Sequence, residues 1–128
     1  MPNFTNIAIH WSQYPESIKA ELIKGLRDKR INHKFHYTGL KQAQKWLALH
    51  QSYAPSKSDP NCTTIYNSSF KAAVNRLCNE SVLLLGLGVG NGEKETRILQ
   101  LLQDAGKEIT YAPVDVSVEL LLRACQAA

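Results

Sequence analysis

Apolar residues in the first third of the chain fall on one helical face. Ile18, Leu22 and Leu26 recur every four positions, the spacing that stacks side chains along a helix. Pro15 suits the first turn of that helix. Lys29 and Arg30 lie near its expected end, where cations complement the helix dipole. A second helix is predicted from about Leu40 to His50, with Trp46, Leu47 and Leu49 facing inward.

The pattern breaks over residues 52–64. The stretch SYAPSKSDPNCTT contains two prolines among many polar residues and predicts a loop. Ser68 or Ser69 can then cap a short helix carrying Phe70, Val74 and Leu77. Val82 to Leu85 is a continuous apolar run closed by glycines, as in a strand buried on both faces of a parallel sheet. Glu93 to Ala105 predicts a helix with Ile98, Leu99 and Leu102 inward and Gly106 as its stop. Ile109 to Asp115 predicts a second strand, and Ser117 caps a last helix containing Leu121 and Leu122. The expectation is an α/β chain with N-terminal helices followed by a βαβα unit. The natural division is a helical segment over 1–64 and a sheet-forming unit over 65–128.

Composition adds little to this picture. The 128 residues are 44% hydrophobic and 20% charged, ordinary values for a globular chain. No apolar run approaches the roughly 20 residues of a membrane span, so no membrane partner is expected. The start, MPNFTNIAIHW, has no basic stretch before an apolar one and does not read as a signal peptide. Cys62, Cys78 and Cys125 are far apart and odd in number, which fits reduced thiols and a cytoplasmic location. The net charge is +4. Residues 1–50 hold eight Lys/Arg against three Asp/Glu, and residues 51–128 hold seven against eight. A basic half can signal nucleic acid, but no stacking motif accompanies it. The reading is therefore a solvated helical face without a nucleic-acid partner.

The candidate chemistry lies in the glycine turn. Gly86, Gly88, Gly90 and Gly92 alternate directly after the first predicted strand. Glycine permits positive φ and close approach of a ligand to the backbone, and the following helix offers unpaired N–H groups. Asp115 closes the second strand at the same sheet edge, where a carboxylate commonly accepts hydrogen bonds from both hydroxyls of a ribose. The dinucleotide fingerprint G-x-G-x-x-G fails in both registers, because Asn91 or Glu93 stands at its third glycine. A P-loop fails for want of Gly-Lys followed by Ser or Thr. What remains is a G-x-G turn suited to an adenosyl ligand, with a purely structural turn as the alternative.

These motifs resemble the histidine-specific Nα-methyltransferases of ergothioneine biosynthesis, over roughly residues 31–128. Leu87-Gly88-Val89-Gly90-Asn91-Gly92-Glu93-Lys94 is similar to that family's cofactor motif, and Tyr111-Ala112-Pro113-Val114-Asp115-Val116-Ser117 to its second-strand motif. Lys34-Phe35-His36-Tyr37 and Ser52-Tyr53-Ala54-Pro55-Ser56-Lys57 are similar to its N-terminal, substrate-side segments. The resemblance implies S-adenosylmethionine as cofactor, with Gly88, Gly90, Lys94 and Asp115 in contact with it. It implies Tyr53 and Tyr37 at an amino-acid substrate, histidine or a relative, methylated on its α-amine.

Two positions depart from the family's pattern. Gly86 stands where an acid usually precedes the first motif glycine, and Ala54 stands where a second tyrosine is common. The family runs further than Ala128, so the resemblance implies an incomplete Rossmann-like sheet, finished by a missing C-terminal portion or a homodimer partner. The competing expectation is a non-catalytic or partner-completed α/β domain in which the glycine turn is structural.

Other candidates carry less. His33 and His36 are three apart, as metal ligands can be, but no third ligand accompanies them, and no metal is expected. No nucleophile elbow is present, and no residue is assigned as a catalytic base.

Overall fold

A computed structural model describes residues 5–128. The first four residues, part of the stretch read for targeting, lie outside it. The chain divides into two compact units, Met1–Phe35 and His36–Ala128. In the first, a short 3-10 turn over Trp11–Gln13 leads into α1, Pro15–Arg27. Pro15 occupies the first turn, as its missing N–H and fixed φ favour. Ile18 and Leu22 are half-buried, but Leu26 is exposed. Glu21 on α1 pairs with Lys34 and accepts from the Asn32 side-chain amide at 3.0 Å. That pairing holds its carboxyl below the usual carboxylate range.

The second unit is mixed α/β. Its elements are α2 (Leu40–Tyr53), α3 (Pro55–Ser58), α4 (Pro60–Asn75), β1 (Ser81–Leu87), α5 (Glu93–Asp104), β2 (Glu108–Val114) and α6 (Val118–Ala127). With α1 this makes six α-helices and a two-stranded parallel sheet among the described residues.

The stretch expected to be a loop over 52–64 is helical. Its prolines do not break the structure, because Pro55 and Pro60 each sit in the first turn of a helix. Asp59 supplies the cap of α4 by accepting from the Asn61 N–H at 2.9 Å. The expected caps Ser68 and Ser69 therefore fall inside α4, where Ser68 Oγ donates to the Ile65 carbonyl at 3.0 Å. In α2, Trp46 and Leu47 are half-buried, whereas Leu49 is 60% exposed.

β1 and β2 pair in parallel register from Ser81↔Glu108 to Leu87↔Val114. Their connection through α5 is the crossover that parallel pairing requires. α5 ends as its sequence predicts, with Gly106 at φ +70° closing the helix. Ser117 caps α6, its Oγ accepting from the Leu120 N–H at 3.3 Å. Leu120 and Ala124 are the core residues of α6, and Leu122 faces outward.

The expectation that β1 is buried on both faces does not hold. Its residues alternate: Val82, Leu84 and Gly86 turn toward the helices, while Leu83, Leu85 and Leu87 are 66%, 55% and 75% exposed. A two-stranded sheet with its helices packed on one side leaves the other face open. The core is formed by Ala43, Val74, Val89, Leu102, Leu120 and Ala124, from α2, α4, the glycine turn, α5 and α6.

Candidate functional site

The glycine turn joins β1 to α5, and each of the four alternating glycines, Gly86 at the end of β1 included, has a steric reason to lack a side chain. Gly88, Gly90 and Gly92 have φ of +65°, +57° and +76°, a region that side chains with a Cβ rarely adopt. A Cβ on Gly92 would lie 2.8 Å from the Ala124 Cα, so this glycine lets α6 approach the turn. A Cβ on Gly90 would lie 2.9 Å from the Trp46 ring, so this one lets α2 approach it. A Cβ on Gly86 would overlap Val89. Gly88 differs from all three: a Cβ there would meet nothing within 4 Å. Its backbone is open on the side away from the protein.

Asp115, one residue beyond β2, ties this turn to α6. Its Oδ2 accepts from the Gly90 N–H at 2.9 Å, and its Oδ1 accepts from the Ser117 N–H at 2.9 Å. The turn is also pinned to the sheet by the Gly88 N–H, which donates to the Val114 carbonyl at 2.8 Å. A carboxylate offers about four acceptor positions, so two remain for a ligand.

Two cavities flank the turn. The first, of about 360 Å³, has mainly apolar walls from Tyr37, Trp46, Val114, Val116 and Leu120, with Asp115 as its acid. The second, of about 220 Å³, is lined by charged and polar residues, among them His50, Glu93, Lys94, Glu95 and Arg97. Trp46, Leu87, Gly88 and Gly90 line both.

Lys94 places its ammonium 4.9 Å from the centre of the Tyr66 ring, a cation–π arrangement. Glu93 pairs with Lys57 of α3, and this partner holds the Glu93 carboxyl below its ordinary range. Trp46 is part of an aromatic row: its ring stacks on His50 at 4.9 Å and 13°, and meets Tyr37 at 6.2 Å and 80°. Among the described residues, no group of three or more His, Cys, Asp or Glu side chains is placed to hold a metal ion.

Of the residues singled out in the sequence, Gly88, Gly90 and Asp115 come together at the first cavity and Lys94 lies on the second. Tyr37 lines the first cavity. Tyr53 ends α2, is 77% exposed and lines neither cavity. Trp46, His50 and Tyr66 line the site without having been singled out for it, and Lys57 and Glu93, which lie in the two family-like motifs, are joined there as an ion pair. Trp46 and His50 are four apart on α2, a spacing that puts them on one helical face; that was their available signal.

A parallel strand, glycine turn, helix and strand with an acid at the second strand's end defines an α/β site for a nucleotide-type ligand. The family model for histidine-specific, S-adenosylmethionine-dependent methyltransferases matches residues 18–128. The chain belongs to that family, whose cofactor is S-adenosylmethionine. No curated protein and no solved structure gives a match. The site suits this cofactor: an open glycine backbone at Gly88, an acid with free acceptor positions beside an apolar cavity, and a cation beside a polar one. Among the described residues, no helix is long and apolar enough to cross a membrane.

Proposed function

We propose that the chain holds S-adenosylmethionine across the glycine turn and places it for methylation of an amino-acid α-amine, with histidine or a relative as substrate. The ribose lies at Asp115 in the first cavity and the cofactor's carboxylate at Lys94 in the second. The observation that carries this reading is the pair of cavities meeting over the open backbone of Gly88. Apolar walls beside a lone acid suit a nucleoside, and a lysine in a mixed-charge cavity suits an amino-acid end. Tyr37 and Tyr53, both before residue 65, are the substrate-side residues, and 65–128 is the cofactor-binding, Rossmann-like unit.

When bound, the cofactor supplies a methyl group activated by its sulfonium. The chain's contribution is alignment. Asp115 and Lys94 fix the two ends of the ligand, and the turn between them fixes the height of its middle. Holding two reactants in line removes much of the entropic barrier to transfer. Asp115 and Lys94 would hold the cofactor so that its sulfonium methyl is presented to the substrate amine. Three free cysteines fit a reducing, cytoplasmic setting.

Calorimetric titration with S-adenosylmethionine and S-adenosylhomocysteine tests the cofactor site. Saturable heat with both is expected; none at millimolar ligand would overturn the reading.

The uncovered face of β1, with Leu83, Leu85 and Leu87 exposed, favours a second reading. A parallel sheet normally has both faces covered. In that reading the sheet is completed by further protein surface, and the glycine turn is structural. Light scattering beside the titration separates the two: a self-associating chain that takes no cofactor supports the second.

A further inference from the structure

Trp46 occupies a distinctive place in the site. The two cavities share four residues, and Trp46 is the single side chain among them with a π system; the others are Leu87, Gly88 and Gly90. None of the four carries charge. His50 stacks on the indole and lines only the second cavity, whereas Trp46 lines the first as well. The indole also lies close against the turn, since a Cβ at Gly90 would come within 2.9 Å of its ring.

The cofactor's chemistry places its cation at this junction. Between the ribose and the amino-acid end lies the sulfonium sulfur, which carries a full positive charge. If the ribose is at Asp115 and the carboxylate at Lys94, as proposed above, the sulfonium passes the residues common to both cavities. No acid stands among them. The group there that can stabilise a cation without forming a tight ion pair is the indole, the strongest cation–π partner among side chains, through the face opposite the one stacked on His50. After methyl transfer the sulfur is a neutral thioether and that attraction is gone.

We infer that the Trp46 indole seats the cofactor's sulfonium and sets the preference for S-adenosylmethionine over S-adenosylhomocysteine. Trp46 is thus a specificity-determining residue of the cofactor site. The inference rests on the proposed cofactor placement, and its test keeps the two apart.

The decisive measurement is the ratio of the two dissociation constants by calorimetry. The chain has two tryptophans, so Trp11→Phe leaves Trp46 as the single indole. Mono-, di- and trifluorinated tryptophan incorporated in that background drains the ring's quadrupole with little change of shape. Affinity for S-adenosylmethionine should fall at each step while affinity for S-adenosylhomocysteine stays level. Trp46→Leu should shift the ratio by about three- to thirty-fold, the range of a cation–π contact at tenfold per ~1.4 kcal/mol. Trp46→Phe should shift it less. If both ligands weaken together, or neither responds to fluorination, the inference is wrong although the cofactor site stands. If the unsubstituted chain binds neither ligand, the proposed cofactor site fails and the inference falls with it. The fluorinated series decides the matter even where Trp46→Leu does not fold.

Discussion

The Gly90 N–H donates to Asp115 Oδ2 at 2.9 Å, while the other carboxylate oxygen accepts from Ser117. One side chain therefore joins the glycine turn after β1 to the capped start of α6. The residue expected from sequence to hold a ribose already holds the protein's own backbone. Both roles are compatible, because each oxygen has a second acceptor position.

Asp115→Ala should then damage more than ligand binding. Two charge-assisted hydrogen bonds disappear and leave two N–H groups without their acceptor. The expected loss is about 2–3 kcal/mol of stability, read from urea denaturation, together with loss of saturable cofactor heat. Asp115→Asn keeps one acceptor oxygen and should recover part of the stability. Equal stability of wild type and Asp115→Ala would show that the clasp is not structural.

The glycines of the turn should separate by function. Gly92→Ala places a Cβ 2.8 Å from the Ala124 backbone at φ +76°. Strain and overlap with a rigid neighbour should cost more than 2 kcal/mol, against about 1–2 for the left-handed conformation alone. Gly88→Ala, at φ +65° with open space around it, should pay only the conformational cost. Its new methyl would instead stand where the cofactor is proposed to lie. Thermal denaturation should therefore rank Gly92→Ala below Gly88→Ala, while calorimetry shows both to be poor cofactor binders.

The legible parts of this fold were those where local chemistry decides the outcome. Pro15 starts a helix and Gly106 ends one through their own backbone geometry, Ser117 starts one through its side-chain cap, and all three behave as their residue types predict. The glycine turn was legible because alternating glycines after an apolar run have few other uses. The 52–64 segment misled because proline and polar residues serve helix starts as well as loops. Asp59 before Pro60 was the sign of a start. The burial of β1 was misjudged because Val82 to Leu85 is apolar throughout. Composition cannot say which face a neighbour covers, and here only one is covered. Tyr66 joined the site through tertiary packing, which no local spacing reports, whereas Trp46 shares with His50 a helical spacing that shows a common face but not what that face meets.

Tyr111 gives a prediction that sequence would not suggest. Its hydroxyl is buried without a hydrogen-bond partner among the described residues, and burial, aided by Glu95, pushes its pKa up to about 12. A buried unpaired hydroxyl is unfavourable, so Tyr111→Phe should be neutral or slightly stabilising. Between about pH 10, the unfolded value, and about 12, the unfolded chain loses a proton that the folded chain keeps. Stability is therefore intact below the lower value and falls through the window as pH rises. Tyr111→Phe should remove that fall. An identical alkaline slope in both proteins, measured by denaturant titration, would contradict the assignment.

The Lys57–Glu93 pair predicts the opposite behaviour in acid. Lys57 holds the Glu93 carboxyl below its ordinary value of 4.5, so the folded chain keeps this group ionised where the unfolded chain begins to protonate. Its contribution is present above the unfolded value and is lost as pH falls through the lower, folded one. Both side chains are partly solvated, which screens the pair and keeps its contribution small. Lys57→Met should lower stability slightly near pH 7, leave it unchanged at pH values below the folded Glu93 range, and so flatten the acid limb by that same small amount. It should also free the start of α5 from α3 at the polar cavity. Lys94 borders the same cavity and has its own contact with Tyr66. Cofactor affinity should therefore fall only modestly in Lys57→Met, by less than in Lys94→Met. Acid titration by circular dichroism, paired with calorimetry of the two variants, checks both orderings. A larger binding loss from Lys57→Met would move the carboxylate-binding role from Lys94 to Lys57.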